Sequence, residues 1–416
     1  MGHAIVPSPW RSGEPGFLPG FPGALSSREP GWPRTRAILL ACGAGPLTGK
    51  EEIVEQLAGI IDRTFPALTS PVPVAGTRAS AQIPSPRHRT LHDLVYEFEL
   101  EESLENPDLT VPMKALRLTE QGHVEIPDFG PFQFTDWSRR QCASLAGLRW
   151  DRWFENASPG DRAEEMNRRF ERASGAVRLR TSRFKDESAD KEPGAHGRLR
   201  AFVSPGYTPV RDSVVASALV MALSSVDGEL RIIRADMTDR STSFVVGVGK
   251  PFRMGDDHDI GDIWGGLLVR NSGVGFASLL FTLHLTRLLC KNGMTAPVGD
   301  AMLLRRRHRG RDGDKLTGLL AERMDGLPGQ LRQGAEVLRA AAARRVTDVE
   351  GDVRGLLLAA RLPVRLLPAV VAAYDQEPLP TAFGVSQAAT LAAQGLAPEE
   401  RLQLEGAAGE YLEHFN

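Results

Sequence analysis

Two apolar patterns divide this chain near Arg311. Upstream, Leu199–Val203, Glu229–Asp236, Ser243–Val248, Gly266–Val269 and Leu279–Leu289 are strand-length runs. One helical run interrupts them: Val215, Ala218, Leu219, Ala222 and Leu223 share a face, with Ser213 as the expected N-cap. Downstream of Arg311 no strand signal survives. Leu316–Met324, Gln330–Val346, Val353–Leu362, Val364–Tyr374, Gly384–Ala393 and Pro398–Glu413 all carry helical spacing. The order predicts an α+β fold: a central, mostly antiparallel sheet with packed helices, then a helical C-terminal region.

The preceding segments are less regular. Residues 1–35 repeat Pro-Gly and cannot bury enough surface to offset ordering entropy, so a disordered tail is expected. Residues 36–107 read as a small α/β segment and linker: a strand Ala37–Cys42, a helix near Lys50–Thr64, then a Pro- and Ser-rich stretch. Seven acids crowd 91–108: Asp93, Glu97, Glu99, Glu101, Glu102, Glu105 and Asp108. Tyr96, Phe98 and Leu100 alternate with Glu97 and Glu99, which predicts a strand with an acidic face. Val111–Leu118 and His123–Ile126 can pair across the Gln121-Gly122 turn. Thr135 should cap a helix to Leu145, and a second helix should span Asp161–Ala173. Residues 185–197 read as a charged loop. The core then runs over 108–311 and the helical region over 312–416.

Composition excludes broad classes. The formal charge is −2, so no global field attracts a polyanion, and binding to one requires a local patch. Cys42, Cys142 and Cys290 are sparse and far apart, which favours a reducing compartment over a disulfide framework. No apolar run approaches the ~20 residues of a membrane span. A cytoplasmic protein without a membrane partner is expected.

Motifs for catalysis are weak. Ala44–Glu51 follows a strand as a phosphate loop would, but Ala44 replaces the first Gly and Glu51 the Ser or Thr that holds magnesium. Asp256, Asp257, His258 and Asp259, with Asp262, could ligate a divalent metal, or form a solvated acidic turn. His284 reads as a hydrogen-bonded core residue. Asn271, two residues before Gly273, and Asn292, next to Gly293, read as turn formers in left-handed backbone. Neither a nucleophile elbow nor a cofactor motif is present.

Basic segments are the stronger signal. Leu304–Arg311 holds five Arg and one His. Arg168, Arg169, Arg172, Arg178, Arg180 and Arg183 form a second set. The planar Arg fork binds two phosphate oxygens at once. Pairing with Glu164, Glu165 and Glu171, or plain solvation, is the alternative. Phe202, Tyr207, Phe244 and Phe276 are candidate stacking surfaces, with core packing as their other role.

Several segments resemble the DUF932 family of phage- and plasmid-associated proteins. Leu267–Gly275 contains Arg270-Asn271-Ser272, and Leu283–Met294 contains Arg287, Cys290 and Asn292-Gly293-Met294. Leu199–Val210 resembles a further family signature, with Pro205-Gly206 in place of its usual Asp-Arg. Phe134–Ala143, Ser386–Thr390 and the helix bearing Arg401, Leu404, Glu405 and Gly409 complete the likeness. It covers roughly 108–416 and implies a mobile-element origin. By analogy alone, the strand-rich core resembles that of phage single-strand annealing recombinases.

The leading expectation is therefore a non-enzymatic protein that binds single-stranded DNA in a groove beside the sheet, as a homo-oligomer. Arg178, Arg180, Arg200, Arg270, Arg287, Arg305, Arg306, Arg307 and Arg309 are its candidate phosphate contacts. The rivals are an interaction or regulatory protein of a mobile-element or phage-defence cluster, and a metal-dependent nuclease using Asp256–Asp259.

Overall fold

The computed structural model describes residues 91–148, 156–184, 191–224, 230–253, 262–287, 302–308, 315–324 and 326–413. All of them belong to one compact unit. The expected tail, the strand, helix and loop of 36–65 and the linker that follows lie outside the described residues. So do Asp256–Asp259, Asn292, Arg309, Cys42 and Cys290.

The fold is α+β, but the strands form two sheets rather than one. The first contains β1 (Leu109–Pro112), β2 (Arg117–Leu118), β3 (Val124–Ile126), β4 (Gly130–Phe134), β5 (Ala176–Ser182) and β6 (Gly197–Val203). Its order is β1-β5-β6-β4-β3-β2. Only the β4–β6 pairing is parallel. Gly122, at φ 87°, turns the β2–β3 hairpin as its sequence predicts. Helices α2 (Asp136–Leu145) and α3 (Pro159–Arg172) cover one face. The Thr135 hydroxyl accepts from Ser138 N, and Ser138 returns a bond to the cap backbone. Met166 and Phe170, four apart on α3, bury completely against Val124, Leu179 and Leu199. Each such burial contributes about 1.5–3 kcal/mol.

Helix α1 (Leu91–Ser103) overturns the strand expected there. Leu91, Leu94 and Phe98 recur at helical spacing and are all buried, while Tyr96 and Leu100 are exposed. The short alternation at 96–100 is outweighed by this longer period. Helix α4 (Asp212–Leu223) is capped by Arg211 without a side-chain bond. The expected cap, Ser213, instead donates to Glu102.

The second sheet contains β7 (Leu230–Met237), β8 (Thr242–Val248), β9 (Phe252–Arg253), β10 (Asp262–Asn271), β11 (Leu279–Arg287) and β12 (Met302–Arg306). Its order is β12-β11-β10-β8-β7, with β9 paired to one end of β10, and every pairing is antiparallel. Helices α1, α4 and α5 (Leu316–Met324) bury one face against Phe244, Val246, Leu267, Val269 and Phe281. The C-terminal region is helical as expected: α6 (Leu327–Ala343), α7 (Val349–Ala359), α8 (Leu367–Tyr374), α9 (Ala382–Ala393) and α10 (Pro398–Glu413). Among the described residues no helix is long and apolar enough to cross a membrane.

Candidate nucleic-acid interface

Strand β5 has the sequence Ala-Val-Arg-Leu-Arg-Thr-Ser, a period-two alternation of apolar residues with arginine. Val177 and Leu179 enter the core of the first sheet, so Arg178 and Arg180 point to the other face. On β6, Arg198 lies opposite Ser182, in phase with Arg180 and Arg178. Arg200 sits at the bulge between the Arg180 and Thr181 pairings. One sheet face therefore gathers four arginines.

The inner arginines of that face are held by internal hydrogen bonds, two of them to carboxylates. Arg180 is 6% exposed. It donates to Glu105 Oε2 at 2.7 Å and Asp108 Oδ1 at 3.2 Å, and also to the Gly273 carbonyl. Arg200 donates to the second oxygen of Glu105. Arg178 donates to the Tyr207 carbonyl. A polar cleft of about 30 Å³, lined by Glu105, Arg180, Arg200, Asp212, Asp239 and Thr242, lies beside these pairs. It has room for about two waters.

The outer end of the face is open. A groove of about 620 Å³ is lined by Gln133, Arg139, Lys191, Glu192, Arg198 and Asp239. Lys191 Nζ lies 5.9 Å from the centroid of the Phe184 ring, and the Arg198 guanidinium 5.6 Å from the same ring. Arg162 on α3 has its pKa lowered by burial and by neighbouring Arg139. Of the acids in the groove, Glu192 is held by His123 at 2.7 Å and Asp136 lies 3.9 Å from Arg139.

The other candidates separate. Arg287 is 1% exposed, donates to Glu377 at 2.8 Å and lies against Phe383, so it serves the core. Arg270 is half-buried against Phe276 at 5.3 Å, and its Nε has no hydrogen-bond partner. Neither reaches the groove. Arg305 and Arg307 are exposed at the edge strand β12 and just beyond it, with Arg306 half-buried between them. In the 168–183 set, Glu165 takes Arg168 and Arg169, while Glu171 lies near Arg117. Phe202 and Phe244 are core residues. Tyr207 donates to the Ser272 carbonyl, and Phe276 packs edge-on against Trp137. Among the described residues no cluster of His, Cys, Asp and Glu could hold a metal ion. Asp262 is exposed at the start of β10.

Two readings change. His284 is buried, but neither ring nitrogen has a hydrogen-bond partner. Burial and nearby Arg234 push its pKa well below the ordinary value, which keeps the ring neutral. Asn271 does not adopt left-handed backbone. Its amide instead donates to Val210 O at 2.8 Å and Asp212 Oδ1 at 2.7 Å, tying β10 to the start of α4.

Glu102 and Asp212 flank the cleft, and burial holds both carboxyls above their ordinary range. Bonds from Ser213 to Glu102, and from Asn271 and Thr242 to Asp212, oppose that rise. A raised folded-state pKa means that the folded chain holds a proton the unfolded chain has lost. These two groups therefore make stability fall as pH rises from the ordinary carboxylate range to the raised one. Urea melts at a series of pH values are expected to show that slope, and Glu102→Gln to flatten part of it.

Arg139, Lys191, Arg198 and Phe184 are not candidates on sequence alone. The alternation in β5 and the arginines of β6 carry the signal for the face, but the groove needs the β5–β6 register. No family model, curated protein or solved structure matches this chain.

Proposed function

We propose that this protein binds single-stranded DNA along the arginine-bearing face of its first sheet, without catalysing a reaction. The observation that carries the reading is the open end of that face, where Lys191 and Arg198 line a groove of about 620 Å³ and both lie over the Phe184 ring. A cation that leaves an aromatic face to pair with a phosphate exposes that face to a base. An unstacked base is available only in a single strand. Arg139 extends the same track, and the exposed Arg305 and Arg307 offer a second basic stretch. DUF932 membership, a phage or plasmid origin, a cytoplasmic site of action and a homo-oligomer that lengthens the track belong to the same proposal.

The rivals have less support. Docking through the helical C-terminal third meets the fact that Glu377, Arg401 and Glu405 are turned toward the second sheet. The residues of the nuclease reading lie outside the described ones. The test is fluorescence anisotropy with a labelled single strand across a salt series. Lys191→Ala with Arg198→Ala is expected to weaken binding and to reduce the log–log salt slope by about 0.7 for each phosphate no longer neutralised. The same affinity and slope as the parent chain would remove the groove. A triple replacement of Arg305, Arg306 and Arg307 by Ala tests the second stretch in the same way.

A further inference from the structure

We infer that Glu105 is a built-in phosphate mimic that withholds Arg200 from the DNA track, an inference that rests on the binding reading above. Its two carboxylate oxygens divide between two guanidinium groups, Oε2 to Arg180 and Oε1 to Arg200. A backbone phosphate would present two oxygens to the same pair. Arg180, Arg200 and Arg198 share one small stretch of antiparallel strand, so the inner pair continues the cations of the open groove. The polar cleft beside the inner pair and the outer groove also share a wall, since Asp239 lines both.

The contact is positioned to exchange. Side-chain exposure is 29% at Arg200 and 15% at Glu105, so water reaches the pair. The Glu105 N–H donates to the Glu102 carbonyl, and its strand pairing is an isolated bridge to Ser182, ahead of the regular β1–β5 pairing that begins at Leu109. Asn106 N to Thr181 O and Arg183 N to Leu104 O hold the backbone on either side. A rotation of the Glu105 side chain therefore frees Arg200 without moving the strand. Arg180 keeps Asp108 and the Gly273 carbonyl when Glu105 leaves. With Glu105 in place, the track ends at Arg198. With Glu105 displaced, it lengthens by Arg200, while buried Arg180 stays with Asp108 and the Gly273 carbonyl. The acidic run of 91–108 thus has a member placed against the basic face.

Glu105→Gln keeps the shape of the side chain and removes its charge. The full-length variant is expected to bind a single strand more tightly at low salt. Its log–log salt slope should steepen by about 0.7, the contribution of one recruited arginine. Adding Arg200→Gln should return the slope to the parent value. Arg200→Gln alone should cost the parent chain clearly less affinity than Arg198→Ala does, a readout that does not depend on how well Glu105→Gln folds. A folded Glu105→Gln chain with the parent affinity and slope, beside a parent that loses binding on Arg198→Ala, would overturn this inference alone. A loss on Arg200→Gln as large as that on Arg198→Ala would also overturn it. Absence of binding by both the parent and Glu105→Gln would overturn the binding reading together with it.

Discussion

Replacing Glu405 by alanine is expected to cost about 3–5 kcal/mol of stability, the range for breaking a buried ion pair by deleting one partner. Glu405, on α10, is 2% exposed and accepts a two-bond fork from Arg234 at 2.7 and 2.9 Å. Gln394 donates to the same carboxylate at 3.3 Å. Arg234 Nε also lies 3.2 Å from Asp236 Oδ2, without the alignment of a hydrogen bond, and Arg401 donates to Asp236 Oδ1 at 3.0 Å. Deleting Glu405 leaves Arg234 buried, with Asp236 as its remaining acidic neighbour and neutral His284 close by. The network ties α10 to β7, so its loss should loosen the helical C-terminal region from the second sheet. Urea unfolding would report this as a lower midpoint. Arg234→Met combined with Glu405→Leu should recover most of the loss, because a well-packed apolar pair carries no desolvation penalty. A Glu405→Ala chain within about 0.5 kcal/mol of the parent, the range of ordinary surface substitutions, would mean that the fork does not hold the two parts together.

Gly266→Ala should cost about 3 kcal/mol or more, at or beyond the upper end of ordinary overpacking. Gly266 sits in β10 between Gly247 of β8 and His284 of β11. A Cβ there would fall well inside the contact distance of the Val246 carbonyl oxygen and near the Gly247 backbone. Those atoms belong to a paired interior strand and cannot shift without breaking the ladder. The neighbouring Gly265→Ala is the control. Its Cβ would meet the far end of the Leu331 side chain, which can rotate away. Chemical unfolding of the two variants should therefore differ, with Gly265→Ala clearly milder. Equal costs would place the obstruction somewhere other than the β8 backbone.

Legibility in the sequence tracks the range of the interaction. The Thr135 cap, the Gly122 turn and the C-terminal helices rest on local spacing and are readable. Helix α1 reads as a strand because Tyr96, Phe98 and Leu100 mimic strand alternation over five residues, while Leu91, Leu94 and Phe98 fix a helix over a longer window. The division of the strands into two sheets is hidden because β5, an inner strand of the first, reads as a basic stretch. Its arginines look like surface charge, although Val177 and Leu179 between them are core residues. The basic residues are therefore visible, but their counter-ions are not. Glu105 and Arg180 lie 75 positions apart, and no local pattern announces their pairing. The same distance problem hides Glu377 from Arg287, 90 positions away, and Glu405 from Arg234, 171 away. Of the eight candidate arginines among the described residues, at least five thus serve internal contacts, with Arg178, Arg180 and Arg200 on the proposed face and Arg270 and Arg287 elsewhere.

Whether the arginine face takes a single strand is decided by anisotropy of the parent chain with matched single- and double-stranded oligonucleotides over a salt series. Tighter binding of the single strand is expected, with an affinity that falls linearly in log–log form as salt rises. Absence of single-strand binding at low salt, or an affinity indifferent to salt, would refute the proposed function.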